Sequence, residues 1–450
     1  MAYRSSLAGK DILNIKKLVE EINHTTPLVM KVLVIGAGGR EHAIIKALSK
    51  SPKVSHIIAA PGNAGIAQLA QCVNIKETDV QALLSLAQTE NIDLTIVGPE
   101  VALAAGVVDA FEAVGLRVFG PTQGAARIES SKEFAKDLMH KYQIPTAAYA
   151  VFADYEQAMT YIEKQGVPIV LKYDGLAAGK GVIIVETLED ARTALHDLLL
   201  ADKFGHGKVV IEEFMTGPEF SFMCFVCRNK VYPMVLAQDH KRAYNGDLGP
   251  NTGGMGAYSP VPFISEEDVL YSLKHIMTPA AEALVQEGIP FKGVLYGGLM
   301  KTDKGIRVIE FNARFGDPET EVVLPRLLSD FYDLCVAITD EQTPNLVWDS
   351  RAALGVVLAS VGYPNHYSKG FPIKNLDQVK ADIYHMGTDK VNNEFVTNGG
   401  RVLFVTALAN SLAEAQAQVN AEITKIECEN LFHRNDIGWQ AIEQTNSQAN

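Results

Sequence analysis

Four times between Met30 and Pro121, a short apolar run ends in a loop rich in glycine or proline. K-V-L-V-I (31–35) gives way to G-A-G-G-R-E-H-A and then to a helical stretch. H-I-I-A-A leads into P-G-N-A-G, L-T-I-V into G-P-E, and R-V-F into G-P. Strand, turn and helix in repetition build a parallel, doubly wound sheet. The loops of such a sheet gather at the carboxyl edge of its strands, where ligands bind. Read singly, each loop makes a turn and little more.

The first loop has the clearest chemistry. Gly36, Gly38 and Gly39 let backbone N–H groups approach a phosphate at a helix N-terminus, and Arg40 adds a cation there. Glu41 stands where the dinucleotide fingerprint G-x-G-x-x-G requires its third glycine, so a nicotinamide-dependent dehydrogenase fits poorly.

A chain of 450 residues predicts about three domains. A net charge of −13 argues against a general nucleic-acid or anionic-membrane binder, so an anionic substrate must meet locally concentrated cations. No apolar run is long enough to span a bilayer and no signal-peptide core opens the sequence. Five scattered cysteines suit a reducing cytoplasm. Cys224 and Cys227 form C-x-x-C inside a strand-like run, where positions three apart face opposite sides, which predicts core packing rather than metal binding. In residues 1–29 the pattern around Ile12 to Ile22 predicts an amphipathic helix, to which no function is assigned.

A second domain begins near Ser130, where Ser131 caps a helix that has Lys132 just inside it. Two strands then flank the glycine-rich loop Gly175 to Gly181. Such a loop can close over phosphates and exclude water, but it lacks the Walker A spacing. Lys172 ends the first of these strands. K-V-V-I-E-E-F-M-T-G-P-E-F-S reads as strand, turn and strand. The segment from Gln238 to Pro260 reads as a long polar, glycine-rich loop, too long for a plain connection and so suited to binding. Past Pro344 the pattern becomes a small α/β lobe.

V-I-E-F-N-A-R-F-G-D-P-E-T-E (308–321) alternates like a half-buried strand. Alternation predicts Ile309 and Phe311 on one face, with Glu310, Asn312 and Arg314 on the other. A carboxylate and an amide oxygen suit Mg²⁺, and a fixed cation suits a phosphoryl group. A polar face exposed to water accounts for the same spacing. Asp317 fits a helix N-cap, with Pro318 in the first turn, and equally fits a partner for a substrate ammonium group.

From Met30 to about Gln444 the chain resembles the glycinamide ribonucleotide synthetase (phosphoribosylamine–glycine ligase) family of the ATP-grasp superfamily. The resemblance rests on G-A-G-G-R-E-H-A, A-P-G-N-A-G, D-G-L-A-A-G-K-G-V, E-E-F-M-T-G-P-E-F-S, Q-D-H-K-R and T-N-G-G-R-V-L. Its most specific part is G-P-N-T-G-G-M-G joined to E-F-N-A-R-F-G-D-P-E. Three positions depart from the family pattern: Ser130, Tyr173 and Glu321. The last stands where members usually carry Gln and adds negative charge near the expected metal.

The resemblance implies an α/β fold with an N-terminal doubly wound parallel sheet (30–130), a two-lobed ATP-grasp core (131–344, small lobe about 131–207 and large lobe about 208–344) and a small C-terminal α/β lobe (345–450). It implies ATP-dependent ligation of glycine to 5-phosphoribosylamine through a glycyl phosphate, in purine biosynthesis, by a cytoplasmic monomer. Mg²⁺ or Mn²⁺ would be held by Glu310 and Asn312. Arg314, Asp317 and Asp239 would serve catalysis, with Arg314 on the acyl phosphate and the two aspartates on the glycine ammonium. Lys132, Lys172, Gly175, Gly179, Lys180, Gly181, Glu212, Phe214 and Glu219 would bind ATP. Gly38, Gly39, Arg40, Glu41, Asn63, Lys241, Arg242, Asn251, Gly253 and Gly254 would bind phosphoribosylamine. Another ATP-grasp carboxylate–amine ligase, or a non-catalytic nucleotide-binding module, is the alternative.

Overall fold

The computed structural model describes residues 29–175, 181–201, 205 and 207–449. The expected amphipathic helix around residues 12–22 lies outside them.

The opening strand β1 (Met30–Gly36) is flanked by β2 (Val54–Pro61) and β4 (Leu94–Val97), with β3 (Gln71–Cys72) and β5 (Val118–Phe119) outside these. All pairings are parallel, in the order β3-β2-β1-β4-β5. Val32 to Ile35 are fully buried. Leu33 and Ile35 enter one hydrophobic cluster and Val32 and Val34 another, so both faces of β1 are covered. A strand buried on both faces reads as a continuous apolar run, which K-V-L-V-I is. Helix α1 (Gly39–Ser49) follows β1 directly.

Helices α2 (Gln123–Ser130) and α3 (Lys132–Lys141) lead into the second region, and Ser131 caps α3 by accepting from the Phe134 N–H at 3.1 Å. The small lobe is a sheet of β6 (Tyr149–Phe152), β7 (Ile169–Tyr173), β8 (Val182–Val185) and β9 (Val209–Glu213), in the order β6-β9-β7-β8. Its buried core, including Ile162, Leu171, Leu195 and Ile211, is separate from the rest of the molecule. The large lobe is the sheet β11-β10-β16-β17, formed by β10 (Glu219–Cys227), β11 (Lys230–Pro233), β16 (Lys292–Thr302) and β17 (Gly305–Asn312). On β10, Cys224 and Cys227 fall into different clusters, as their spacing predicts.

The segment from Gln238 to Pro260 is not an open loop. It folds into β12 (Gln238–Asp239), β13 (Arg242–Tyr244), β14 (Leu248–Asn251) and β15 (Gly256–Ser259). β13 and β14 form a hairpin. β15 pairs with β18 (Ala352–Ser360), the central strand of the C-terminal sheet. Its glycines serve this packing: a Cβ on Gly256 would stand 2.6 Å from the Ile437 side chain. The sheet continues through β20 (Asp382–His385) and β23 (Arg401–Ala409), with β24 (Leu431–Phe432) also on β18. β19 (Pro372–Ile373), β21 (Thr388–Val391) and β22 (Glu394–Thr397) make a small separate sheet. The C-terminal lobe is thus completed by strands from the middle of the chain. Arg434, fully buried, pins the hairpin: it reaches Asp247 and Asp436 at 2.9 Å and donates to the Arg242 carbonyl at 3.1 Å.

Candidate active site

A cavity of about 380 Å³ opens where the N-terminal sheet, both lobes and the C-terminal sheet meet. Seven basic and seven acidic side chains line it, so this wall is balanced in charge although the whole chain is acidic. A polyanion can be met here by concentrated cations.

The strand β17 forms its floor, but not by simple alternation. Gly298 pairs with Glu310 and Leu299 with Val308, which leaves Ile309 as an extra residue. Such a bulge shifts the faces that follow it. Val308 and Phe311 therefore enter the core together, Phe311 also reaching the cavity wall, whereas Ile309 stays out of the core and lines the cavity beside Glu310 and Asn312. This corrects the expected pairing of Ile309 with Phe311. The bulge also turns the Ile309 carbonyl toward Lys172, whose Nζ donates to it at 3.2 Å.

Lys172 joins a buried charge cluster. Glu212 accepts from Lys136 at 2.8 Å and from Lys172 at 2.7 Å, with all three side chains at most 6% exposed. Burial works against the Lys172 ammonium, but Glu212 and Glu310 outweigh it and hold its pKa up. Lys136 goes the other way: burial brings it down to about 8, against the pull of Glu212. Lys132 donates from its side chain to the Gly175 carbonyl at 2.9 Å, next to the glycine-rich loop. Gly179 and Lys180 of that loop lie outside the described residues.

Arg314 lies beyond the end of β17, held between two carboxylates, Glu129 at 3.0 Å and Glu100 at 3.3 Å. Burial opposes its charge, yet Glu129 and Glu100 together raise its pKa. Asn312 donates its amide N–H to the Phe311 carbonyl at 2.8 Å, which leaves its side-chain oxygen for a ligand. Among the described residues no three His, Cys, Asp or Glu side chains converge on a metal position. Glu310 and Asn312 therefore offer two oxygens, a set that fits Mg²⁺ completed by phosphate oxygens and water.

Asp317 is not a helix N-cap. The short helix after it, Thr320–Val323, starts three residues later. The Asp317 carboxylate instead accepts from the backbone N–H of Arg40 at 3.3 Å and lies 3.6 Å from Arg401 of β23. It caps α1 from another part of the fold, taking the place expected for a substrate anion. The glycines of the first loop serve the same packing. A Cβ on Gly36, which has φ +133°, would overlap the Glu41 carboxyl, and one on Gly39 would stand 2.9 Å from Glu321 Oε1. Arg40 is bound to both Glu41 oxygens and to the Phe315 carbonyl.

The cavity gathers Arg40, Lys132, Lys172, Gly175, Gly181 and Glu212 with Asp239, Lys241, Gly253, Glu310, Asn312, Arg314 and Asp317. Other expected residues stand outside its wall. Glu219 is 4.0 Å from Lys241, and Phe214 follows β9. Gly38, Gly39 and Glu41 pack behind Asp317, and Gly254 packs on Pro318. Arg242 and Asn251 pair across the exposed hairpin. Asn63 spends its whole side chain internally: it donates to Ala37 and His385 carbonyls and accepts from Gly65 and Ile66. Five charged lining residues were not among the expected site residues: Glu100, Glu129, Lys136, Glu319 and Arg401. Burial, then the Asp239 charge, lifts the Glu319 carboxyl to about 7. Of these five, Glu100 lies within G-P-E, Glu319 within G-D-P-E and Arg401 within T-N-G-G-R-V-L, whereas Glu129 and Lys136 lie in no such motif.

Three profiles of phosphoribosylglycinamide synthetase match the chain: the N domain over residues 30–129, the ATP-grasp (A) domain over 130–320 and the C domain over 353–440. The chain belongs to the phosphoribosylglycinamide synthetase family. It is 53% identical over 419 residues to a phosphoribosylamine–glycine ligase of Halalkalibacterium halodurans, covering 92% of this chain and 98% of that one. It is 51% identical over 428 residues to the Salmonella typhi protein of the same name, covering 92% and 99%. The crystal structure of the Thermotoga maritima phosphoribosylamine–glycine ligase superposes with a TM-score of 0.80 at 31% identity, over 90% of this chain and all of that one. A biotin carboxylase domain from Hydrogenobacter thermophilus, in complex with MgADP, shares the fold at a TM-score of 0.70 and 14% identity, over 90% and 92%. Membership in the synthetase family fixes the ATP-grasp architecture around the cavity. No helix among the described residues is long and apolar enough to cross a membrane.

Proposed function

We infer that this protein joins glycine to 5-phosphoribosylamine at the expense of ATP, giving glycinamide ribonucleotide, ADP and phosphate in purine biosynthesis. The observation that carries this reading is one cavity lined by Glu310, Asn312, Arg314, Lys132 and Lys172, in a chain about half identical to named phosphoribosylamine–glycine ligases along nearly all their length.

A carboxylate is a poor acyl donor. One glycine carboxylate oxygen attacks the ATP γ-phosphorus and ADP leaves, which produces glycyl phosphate. The sugar amine then attacks the carbonyl carbon, loses a proton, and expels phosphate. Such transfer depends on positioning and charge neutralisation. Lys132 and Lys172 hold ATP phosphates and Arg314 meets charge on the transferred group. Glu212, Phe214 and Glu219 surround adenosine, Phe214 through its backbone. Asp317 and Asp239 face the glycine ammonium, and Arg40, Lys241 and Gly253 stand toward phosphoribosylamine. Mg²⁺ held by Glu310 and Asn312 would supply electrostatic stabilisation to the phosphates, and Mn²⁺, another hard octahedral ion, would replace it. The protein acts as a cytoplasmic monomer on this reading, and its five free cysteines suit a reducing compartment.

ADP release measured with each substrate omitted in turn tests the reading. It requires glycine and phosphoribosylamine together. ADP release with another carboxylic acid in place of glycine would overturn it in favour of a different ATP-grasp ligase.

A further inference from the structure

Among the described residues only five buried side-chain polar atoms have no hydrogen-bond partner, and three of them belong to one interacting pair: both carboxyl oxygens of Glu321 and Oδ1 of Asp317. Glu321 is fully buried where three parts of the fold converge. Gly39 of α1 and Met386, just past β20, close over it, and its backbone carbonyl accepts from Thr406 of β23 at 3.2 Å. A buried carboxylate with no donor is too costly to persist, and such a group neutralises instead. One added proton on Glu321 accounts for the cluster, because a carboxylic acid donates where a carboxylate only accepts.

We propose that Glu321 is a positioning residue: it keeps its proton at neutral pH and donates it to Asp317, fixing that ionised carboxylate between α1 and Arg401 with its charge toward the cavity. This rests on the reading above that Asp317 meets the glycine ammonium. The surroundings agree. Around Glu321 stand Asp317 and Glu319 from its own turn, Arg401 from β23 and Tyr384 on β20. On α1, Arg40 and Glu41 are already paired with each other. Burial drives the Glu321 carboxyl far above its ordinary range, and the Asp317 charge pushes the same way, against Arg401. Burial also acts against ionised Asp317, but Arg401, Arg40 and the bond to Glu321 outweigh it. The expectation that Glu321 adds negative charge near the metal is thereby reversed.

Loss of the proton at alkaline pH sets a second negative charge against Asp317 and removes its donor. The glycine KM of the wild type therefore rises at alkaline pH. Glu321→Gln keeps an N–H donor and cannot titrate, so its KM for the ammonium form of glycine, counted from the fraction of glycine still protonated at each pH, stays level over the same range. Glu321→Leu removes the donor and raises the glycine KM about tenfold at neutral pH, the usual penalty for losing a bond to a charged group. Infrared difference spectra of wild type minus Glu321→Gln, taken without substrates, contain a protonated-carboxyl C=O band at neutral pH. Identical spectra and identical pH profiles of the glycine KM for wild type and Glu321→Gln would overturn the proposal, whether or not Glu321→Leu folds. A wild type that forms no ADP with glycine would instead overturn the functional reading, and the infrared band would still decide the protonation of Glu321.

Discussion

Glu212 bonds two lysines at once, so the effect of removing its charge can be worked from the structure. Glu212→Gln keeps the volume but leaves Lys136 and Lys172 buried opposite a neutral amide. Breaking a buried ion pair costs about 3–5 kcal/mol. Lys136 limits the loss, because burial has already brought it down to about 8 and it can release its proton near neutral pH. The low end of the range, about 3 kcal/mol, is the expected cost. It falls on β7 and β9, which carry Lys172 and Glu212, within a lobe that has its own core. Native-state hydrogen exchange reads such local stability directly. Amides of β7 and β9 should exchange roughly 10²-fold faster, at about 1.4 kcal/mol per factor of ten. Amides of β1, in a different core cluster, should not change. Adding Lys136→Met should recover part of the loss, since contacting residues are non-additive. A change below about threefold in β7 and β9 would refute the argument that this cluster holds the lobe together.

Arg314→Ala should lower kcat by about 10²–10³-fold while ATP affinity changes much less, because an electrostatic group aimed at developing charge acts mainly in the transition state; unchanged turnover in a steady-state assay would remove it from the mechanism. Glu319 is raised from 4.5 to about 7 by burial and Asp239, so the folded state keeps a proton that the unfolded chain releases. Stability from this group is present below about 4.5 and is lost as pH rises through about 7, by up to about 1.4 kcal/mol per pH unit. Glu319→Gln should flatten that part of the stability profile in urea melts; an unaltered slope would contradict the assignment. Asn63→Ala should destabilise the protein by about 2–3 kcal/mol through its lost internal bonds. An unchanged melting temperature with a raised phosphoribosylamine KM would show that Asn63 serves substrate instead.

Apolar patterning carried the architecture because burial on both faces, as in Val32 to Ile35, leaves a continuous run that nothing else explains. Capping chemistry likewise announced α3 through Ser131. The failures have physical causes too. The bulge at Ile309 is set by the register of β16 against β17, which local alternation cannot contain. Gly256 resembles a loop residue, yet its small size admits the Ile437 side chain from far along the sequence. Asp317 fits an N-cap locally, but its partners, Arg40 and Arg401, lie on distant segments. Glu129 and Lys136 look like ordinary helical surface residues, and Glu100 like a turn residue, until the fold turns them into the cavity. The type of each key group was legible in short motifs; its partner, which decides its charge, was not.

The central claim is that ATP activates the carboxyl group of glycine inside this cavity. Glycine labelled with ¹⁸O in its carboxylate tests it most directly, with the released phosphate analysed by mass spectrometry. Passage through glycyl phosphate predicts one labelled oxygen in each phosphate formed. Phosphate free of label, in a reaction that still yields glycinamide ribonucleotide, would contradict it.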